Sequence, residues 1–379
     1  MNIGIVCYPT YGGSGVVATE LGKALALRGH NIHFITYSRP IRLGLFMENI
    51  FFHEVRTEDY PLFEFIPYES ALASTMVDVA RYHNLDLFHV HYAVPHASVA
   101  FLARKILADY DLDIPVVTTL HGTDITLVGK NKAYEPVVSF SIDQSNGVTA
   151  VSEYLKKATI DNFPIKNDIE VIHNFVDTER FKRQDKDHFR KMITGNGEKI
   201  LIHTSNFRKV KRIGDVLEIF AQVRAELPAR LLMVGDGPER SRAESMCREM
   251  SLCQDISFLG SQNAVEEIYS IGDLFLIPSG NESFGLAALE AMACSVPVIS
   301  SEAGGLPELV LDGVTGYTSP IGDVQKMGQD ALRLLKDDEM WNTFSKNARE
   351  HAEKFSLSQI VPKYESYYAS ILEGSPSVV

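Results

Sequence analysis

Two glutamates, Glu282 and Glu290, stand eight residues apart in the stretch PSGNESFGLAALEAMACSVPVISSEAGGLPELV, residues 278–310. Carboxylates in that position accept hydrogen bonds from hydroxyl groups. Between them a helix begins near Gly285, and the free amides of a helix start suit an anion. Hydroxyl acceptors beside an anion cradle fit one kind of ligand, a sugar nucleotide: the carboxylates take sugar hydroxyls and the amides hold the diphosphate. The plainer reading keeps Glu282 as a loop carboxylate and Glu290 as a solvated helix residue. Gly304 and Gly305 supply a second glycine turn one crossover away. Upstream, Arg208, Lys209, Lys211 and Arg212 place four cations within five residues at a strand–helix junction. That run reads either as a solvated basic turn or as a clamp for a diphosphate.

The elements that position these residues follow from the hydrophobic pattern. Residues 273–277 and 297–301 are short apolar runs of the kind found in buried strands, and 284–293 has helical spacing. Strand, loop, helix, strand is a parallel crossover unit, whose ligands bind where helices begin at the carboxyl ends of strands. The same alternation fills the chain. Residues 3–7 open a strand, and Pro9-Thr-Tyr-Gly-Gly-Ser-Gly15 turns into a helix ending at Gly29, with Ser14 as its expected cap. Gly13 and Gly15 make this turn either an anion contact or simply a tight strand–helix junction. Further strands are expected at 32–37, 85–91, 116–121, 147–151, 200–204 and 230–234. Gly235-Asp-Gly237 follows the last of these. Residues 39–69 are less regular and read as strand and loop, against the alternative of a membrane-touching patch.

His89, His91 and His96 cluster near one strand end, and His121 closes another. No Cys or carboxylate completes a metal-ligand set among them at usual spacing, so no metal site is expected there. His89 reads as an inward-facing strand residue. His121-Gly-Thr-Asp124 is the stronger functional candidate, because it caps a buried strand at its carboxyl end. Thr119 would share that strand face.

The Glu282–Glu290 pair in SGNESFGLAALEAMACSVPVISSEAGGLPELVLDGVTGY resembles the E-x7-E signature of the retaining family-four glycosyltransferases, and the resemblance covers essentially the whole chain. It implies an α/β protein of GT-B architecture: two doubly wound Rossmann-like domains facing across a cleft, with the C-terminal helix crossing back to the first. Residues 1–165 plus about 357–379 would bind the acceptor, and 166–356 the nucleotide sugar. In detail the chain resembles the bacterial enzymes that place N-acetylglucosamine on L-malate in bacillithiol synthesis. UDP-N-acetylglucosamine and L-malate are therefore the expected partners, with retention of configuration. By the same resemblance His121, Arg208, Lys211 and Glu282 act in catalysis. Gly13, Gly15, Gly235, Ser283, Phe284, Gly285, Leu286 and Glu290 contact the donor, and Ser14, Tyr92, Thr119 and Asn206 the acceptor. Residues 258–260 correspond to an edge that reads the uracil. One departure stands out: Asn206 occupies the family's Arg position, with Arg208 two residues later, so either residue can be assigned that place.

Composition narrows the alternatives. With 379 residues and 45% hydrophobic content the chain suits two globular domains. A net charge of −13 argues against nucleic acid, and no apolar run is long enough to span a membrane. Four scattered cysteines and a strand-forming start without a signal pattern suggest a reduced, cytoplasmic setting. No cofactor and no metal are expected, and Asp111-Leu-Asp113 reads as a turn. A lipid acceptor would favour a basic amphipathic surface that this acidic chain lacks. A nicotinamide oxidoreductase is disfavoured by the missing GxGxxG. A silent sugar-nucleotide-binding protein on the same architecture, another acceptor, and a homo-oligomer stay open. The tail 374–379 is expected to be loose.

Overall fold

The central strands of the chain are short, apolar and buried, and every strand lies in a parallel sheet whose more exposed strands sit at the edges. A computed structural model describes all residues except 11, 45, 58–65, 129, 130, 196 and 375–379, and leaves out the side chains of 127 and 128. The chain divides into two units, Met1–Asn174 with Leu357–Val379, and Phe175–Ser356.

The first unit holds β1 (Asn2–Val6), β2 (Asn31–Thr36), β3 (Ile50–Glu54), β4 (Leu87–His91), β5 (Val116–Leu120), β6 (Gly147–Ala150) and β7 (Glu170–Val171). They form one parallel sheet in the order β3-β2-β1-β4-β5-β6-β7. Residues 166–174 belong to this unit because β7 pairs with β6. The irregular stretch after residue 39 contributes β3, an edge strand paired with β2; residues 45 and 58–65 of it lie outside the described residues. The closing helix, Leu357–Gly374, also belongs here. Its Tyr367 hydroxyl accepts from the Val148 amide at 2.9 Å and donates to the Val148 carbonyl at 3.2 Å, fixing the helix to β6. Glu365 of the same helix pairs with Arg28 at 2.7 Å. The tail beyond Gly374 lies outside the described residues.

The second unit holds β8 (Lys199–Thr204), β9 (Ala229–Val234), β10 (Ile256–Gly260), β11 (Leu274–Ile277), β12 (Val298–Ser301) and β13 (Gly316–Ser319). Their order is β10-β9-β8-β11-β12-β13, again parallel. Leu201, Leu231, Leu274 and Ile299 from the sheet pack against Val216, Phe220 and Val223 of the Ile213–Glu226 helix, all buried. In both sheets the strand order reverses beside the first strand, between β1 and β4 and between β8 and β11. Loops leaving such a reversal point splay apart and leave a crevice at the strands' carboxyl ends.

Candidate functional site

In the second unit the reversal point brings together the basic turn and the first glutamate. After β8 the chain makes a 3-10 turn, Lys209–Lys211, and Arg212 takes a left-handed φ of 50° to start the next helix. This geometry sorts the cations. Arg212 turns back to Asp215 at 2.6 Å, and Arg208 and Lys209 stay exposed. Lys211 reaches across to the loop after β11, where its Nζ donates to Glu282 Oε1 at 2.5 Å. Ser279 Oγ donates to the same oxygen at 2.8 Å. The pair is largely shielded, with 20% of the Lys211 side chain and 11% of the Glu282 side chain exposed.

The loop that carries Glu282 is held by its backbone. The Gly305 amide donates to the Glu282 carbonyl at 2.8 Å. Gly304 passes so close, at φ +61°, that a Cβ there would lie 1.9 Å from the same carbonyl. Ser283 and the buried Phe284 follow, then Gly285, the left-handed N-cap of the Leu286–Ala293 helix. Phe284 packs edge-on to Phe355 with ring centroids 5.5 Å apart, so its ring is a core element. The first-turn amides of this helix precede the regular i−4 pattern and face the loop end. Glu290 lies in the second turn and is 6% exposed, which removes the solvated-residue reading. On the neighbouring loop, a Cβ on Gly235 would lie 1.8 Å from the Ser205 carbonyl, and its φ is +113°. Gly235 therefore lets the loops after β8 and β9 touch. Its amide donates to the Gly260 carbonyl at 2.8 Å, so that carbonyl of the edge strand is already engaged. Asn206 is exposed on the loop after β8. Beneath it His203 is fully buried, bonded to the Leu276 carbonyl and to Ser205 Oγ at 2.8 Å each; burial lowers its pKa to about 4.

In the first unit the reversal point gathers Ser14, Tyr92 and His121. The first helix, Gly13–Leu27, is capped by Gly12, with no side-chain cap. Ser14 thus falls inside the first turn, two residues past the cap position. Its Oγ instead accepts the Tyr92 hydroxyl at 2.6 Å. Gly15 packs onto the Tyr8 and Thr10 carbonyls, and Gly13 is exposed at the helix start. Tyr92 holds a φ of 88°, unfavourable by roughly 1–3 kcal/mol for a residue with a Cβ. Its amide is tied to the Thr119 carbonyl at 2.9 Å. The ring lies 5.3 Å from that of His121, centroid to centroid.

His121 follows β5 and is bonded through Nε2 to His91 Nδ1 at 2.7 Å. Burial, helped by His96, pushes its pKa down to about 3, so the imidazole is neutral. The Asp124 carboxylate fixes this loop by accepting the Ala93 amide at 3.0 Å and the Gly122 amide at 2.9 Å. Burial raises its pKa to about 6, and the amide donors oppose a larger rise. Thr119 is fully buried; its hydroxyl bonds His89 Nε2 at 2.6 Å and Thr149 Oγ1 at 2.7 Å. His89 bonds Tyr368 on its other side at 2.7 Å. It is the inward-facing strand residue that its apolar surroundings in β4 suggest. Asp111 lies in a left-handed turn, and Asp113 is taken by Arg104 at 2.7 Å.

Two family models match the chain, "Glycosyltransferase Family 4" over residues 11–180 and "Glycosyl transferases group 1" over residues 184–351. The N-acetyl-alpha-D-glucosaminyl L-malate synthase of Bacillus anthracis is 46% identical over 374 residues, covering 98% of this chain and 97% of that one. The chain belongs to the family-four glycosyltransferases. A more distant member, the D-inositol 3-phosphate glycosyltransferase of Mycolicibacterium smegmatis, is 24% identical over 94% of this chain and 86% of that one. Among solved structures, Anabaena HepE in complex with UDP and glucose superposes with a TM-score of 0.82 at 20% identity, covering 98% and 100% of the two chains. The sucrose-phosphate synthase of Thermosynechococcus elongatus gives 0.81 at 19%, covering 99% and 100%. These likenesses show the fold, which is GT-B.

For a glycosyltransferase the useful additions are the residues that hold the site in place. Ser279, which shares the Glu282 oxygen with Lys211, was absent from the sequence-derived set although it lies three residues before Glu282 in the same loop. Asp124 was visible in the His121 motif, but only the two amides that meet its carboxylate give it a role. His91 stands out in the sequence only as a metal candidate, whereas the β4–β5 register, His91 beside Thr119, makes it the partner of His121. Among the described residues no helix is long and apolar enough to cross a membrane.

Proposed function

We propose that this glycosyltransferase moves N-acetylglucosamine from UDP-N-acetylglucosamine to the hydroxyl of L-malate with retention of configuration, the first step of bacillithiol synthesis. One observation carries the reading: the 46% identity to a synthase of that activity runs through both units, at 98% and 97% coverage. The second unit would take the donor. Breaking the anomeric bond leaves charge on the diphosphate. Lys211 is paired with Glu282. On binding, its ammonium would turn to the diphosphate, with Arg208 and the Leu286–Ala293 helix start adding positive potential. That leaves Glu282 and Glu290 as acceptors for sugar and ribose hydroxyls. Asn206 or Arg208 fills the family's Arg position; the exposed guanidinium of Arg208 is the one that can meet an anion. Gly235, Ser283 and Leu286 would offer backbone contacts to the donor, as would the buried Phe284 and Gly285.

The first unit would take the acceptor. Ser14 and Tyr92 already form one hydroxyl pair at 2.6 Å, and the strained Tyr92 backbone is consistent with a positioned binding group. A neutral His121 can exchange hydrogen bonds with a sugar hydroxyl without adding charge. Thr119 would act through His89 and the strand rather than by touching malate. Retention follows if the acceptor attacks on the leaving-group face and the departing phosphate oxygen takes its proton. Attack from the opposite face by an enzyme carboxylate would instead require the glycosidase arrangement.

The test is incubation with UDP-N-acetylglucosamine, with and without L-malate, in EDTA, following UDP release and product mass. Malate-dependent release with a glycosyl-malate product is the expected result. Turnover with another acceptor only would remove malate and keep the transferase. No release with any sugar nucleotide would leave a binding protein.

A further inference from the structure

Three histidines far apart in sequence converge at the edge of the first sheet. His33 lies in β2, His53 in the edge strand β3, and His83 ends the Tyr68–His83 helix. The β2–β3 register sets Ile35 beside His53 and His33 beside Phe51, so the two strand histidines are diagonal neighbours on one face. His33 Nδ1 and His53 Nε2 are 2.9 Å apart, and one ligand nitrogen from each of the three rings lies within 4.8 Å of the others. Phe51 stacks on His33 with centroids 4.7 Å apart and walls one side. The rings grade outward from buried His33 through half-buried His53 to exposed His83, so the cluster has a polar interior and an open approach. A mutual hydrogen bond accounts for two of these rings. It does not account for a third nitrogen arriving from a helix end.

We infer that His33, His53 and His83 form a binding site for a divalent transition-metal ion of the zinc class. Three imidazoles with a free fourth position are the donor set of an open zinc site, in which nitrogens about 2.0–2.1 Å from the metal stand roughly 3.3 Å from one another. The His33–His53 separation of 2.9 Å lies close to that value, and the His83 nitrogen lies within 4.8 Å of both. Binding requires no redox step. Whichever of His33 and His53 now donates moves its proton to the distal nitrogen, and both near nitrogens become ligands. Imidazole sites also follow the usual divalent-ion order, so Ni²⁺ and Cu²⁺ would compete with Zn²⁺.

The experiment uses untagged full-length protein stripped with chelator and titrated with Co²⁺, followed by its visible ligand-field bands, then with Zn²⁺ in competition. The expected result is one equivalent bound with bands of a nitrogen-ligated ion, displaced by Zn²⁺. His53→Gln and His83→Gln should each weaken binding by more than the roughly 10–100-fold typical of losing a mere supporting contact. Far-ultraviolet circular dichroism should show that both variants fold. Failure of the parent to take up one equivalent, or retention of binding in either variant, overturns the site.

Discussion

Acidification should unfold the first unit before the second. His89, His96 and His121 lie buried in the first unit, with pKa values lowered by burial to about 3, about 4 and about 3; His203 is the equivalent in the second, at about 4. The unfolded value is 6.5. A folded pKa below the unfolded one means that the unfolded chain binds more protons. Stability from these groups is therefore complete above pH 6.5 and is lost as pH falls from there towards 4 and 3. At pH 5.5 each group has lost about 1.4 kcal/mol. The three in the first unit together lose about 4 kcal/mol and the one in the second about 1.4, against total stabilities of roughly 5–15 kcal/mol. His91, also driven far down by burial among the same rings, adds to the first unit's loss. Asp124 opposes it, because its folded pKa of about 6 exceeds the unfolded 3.8 and it gains stability as pH falls through that window. At pH 5.5 that gain is about 0.8 kcal/mol, too small to change the sign. The assay is urea denaturation at pH 7.5, 6.5 and 5.5. The single Trp341 lies in the second unit, its indole N–H bonded to the Asp273 carbonyl at 2.7 Å, so its fluorescence reports that unit. Far-ultraviolet circular dichroism reports both. At pH 5.5 half the ellipticity should vanish at lower urea than the Trp transition. Coincident transitions at all three pH values, or a first-unit midpoint unchanged between pH 7.5 and 5.5, would refute the reasoning.

Lys211→Ala should lower kcat by about 10²–10³ in the UDP-release assay, the usual effect of removing one group that stabilises developing charge. Its melting temperature should move by only a few degrees, since Ser279 still donates to Glu282. Gly304→Ala should destabilise the second unit by more than 3 kcal/mol in urea titration, because the new Cβ would lie 1.9 Å from the Glu282 carbonyl at a φ of +61°.

The alternation of strands and helices was legible because parallel strands buried on both faces must be nearly continuous apolar runs, and β1, β8, β11 and β12 are such runs. Placing Glu282 at the end of β11 and Lys211 after β8 needed only that pattern. Which of four clustered cations faces the glutamate did not follow from it. A 3-10 turn and the left-handed Arg212 reset the helical phase between Arg208 and Asp215, so the hydrophobic pattern alone cannot tell Lys211 from its neighbours; only the family resemblance points to it. Ser14 shows the same limit by two residues: the helix starts at Gly13, capped by Gly12, and a hydroxyl expected to cap it meets Tyr92, 78 positions away, instead. The contacts that sequence missed entirely, His91 with His121 and His33 with His53, join neighbouring strands of one sheet or a strand and the residue just past its neighbour's end. Each is fixed by strand register, and register is decided by pairing partners that no local window contains. Local pattern thus located the loops, and long-range pairing chose the side chains that act within them.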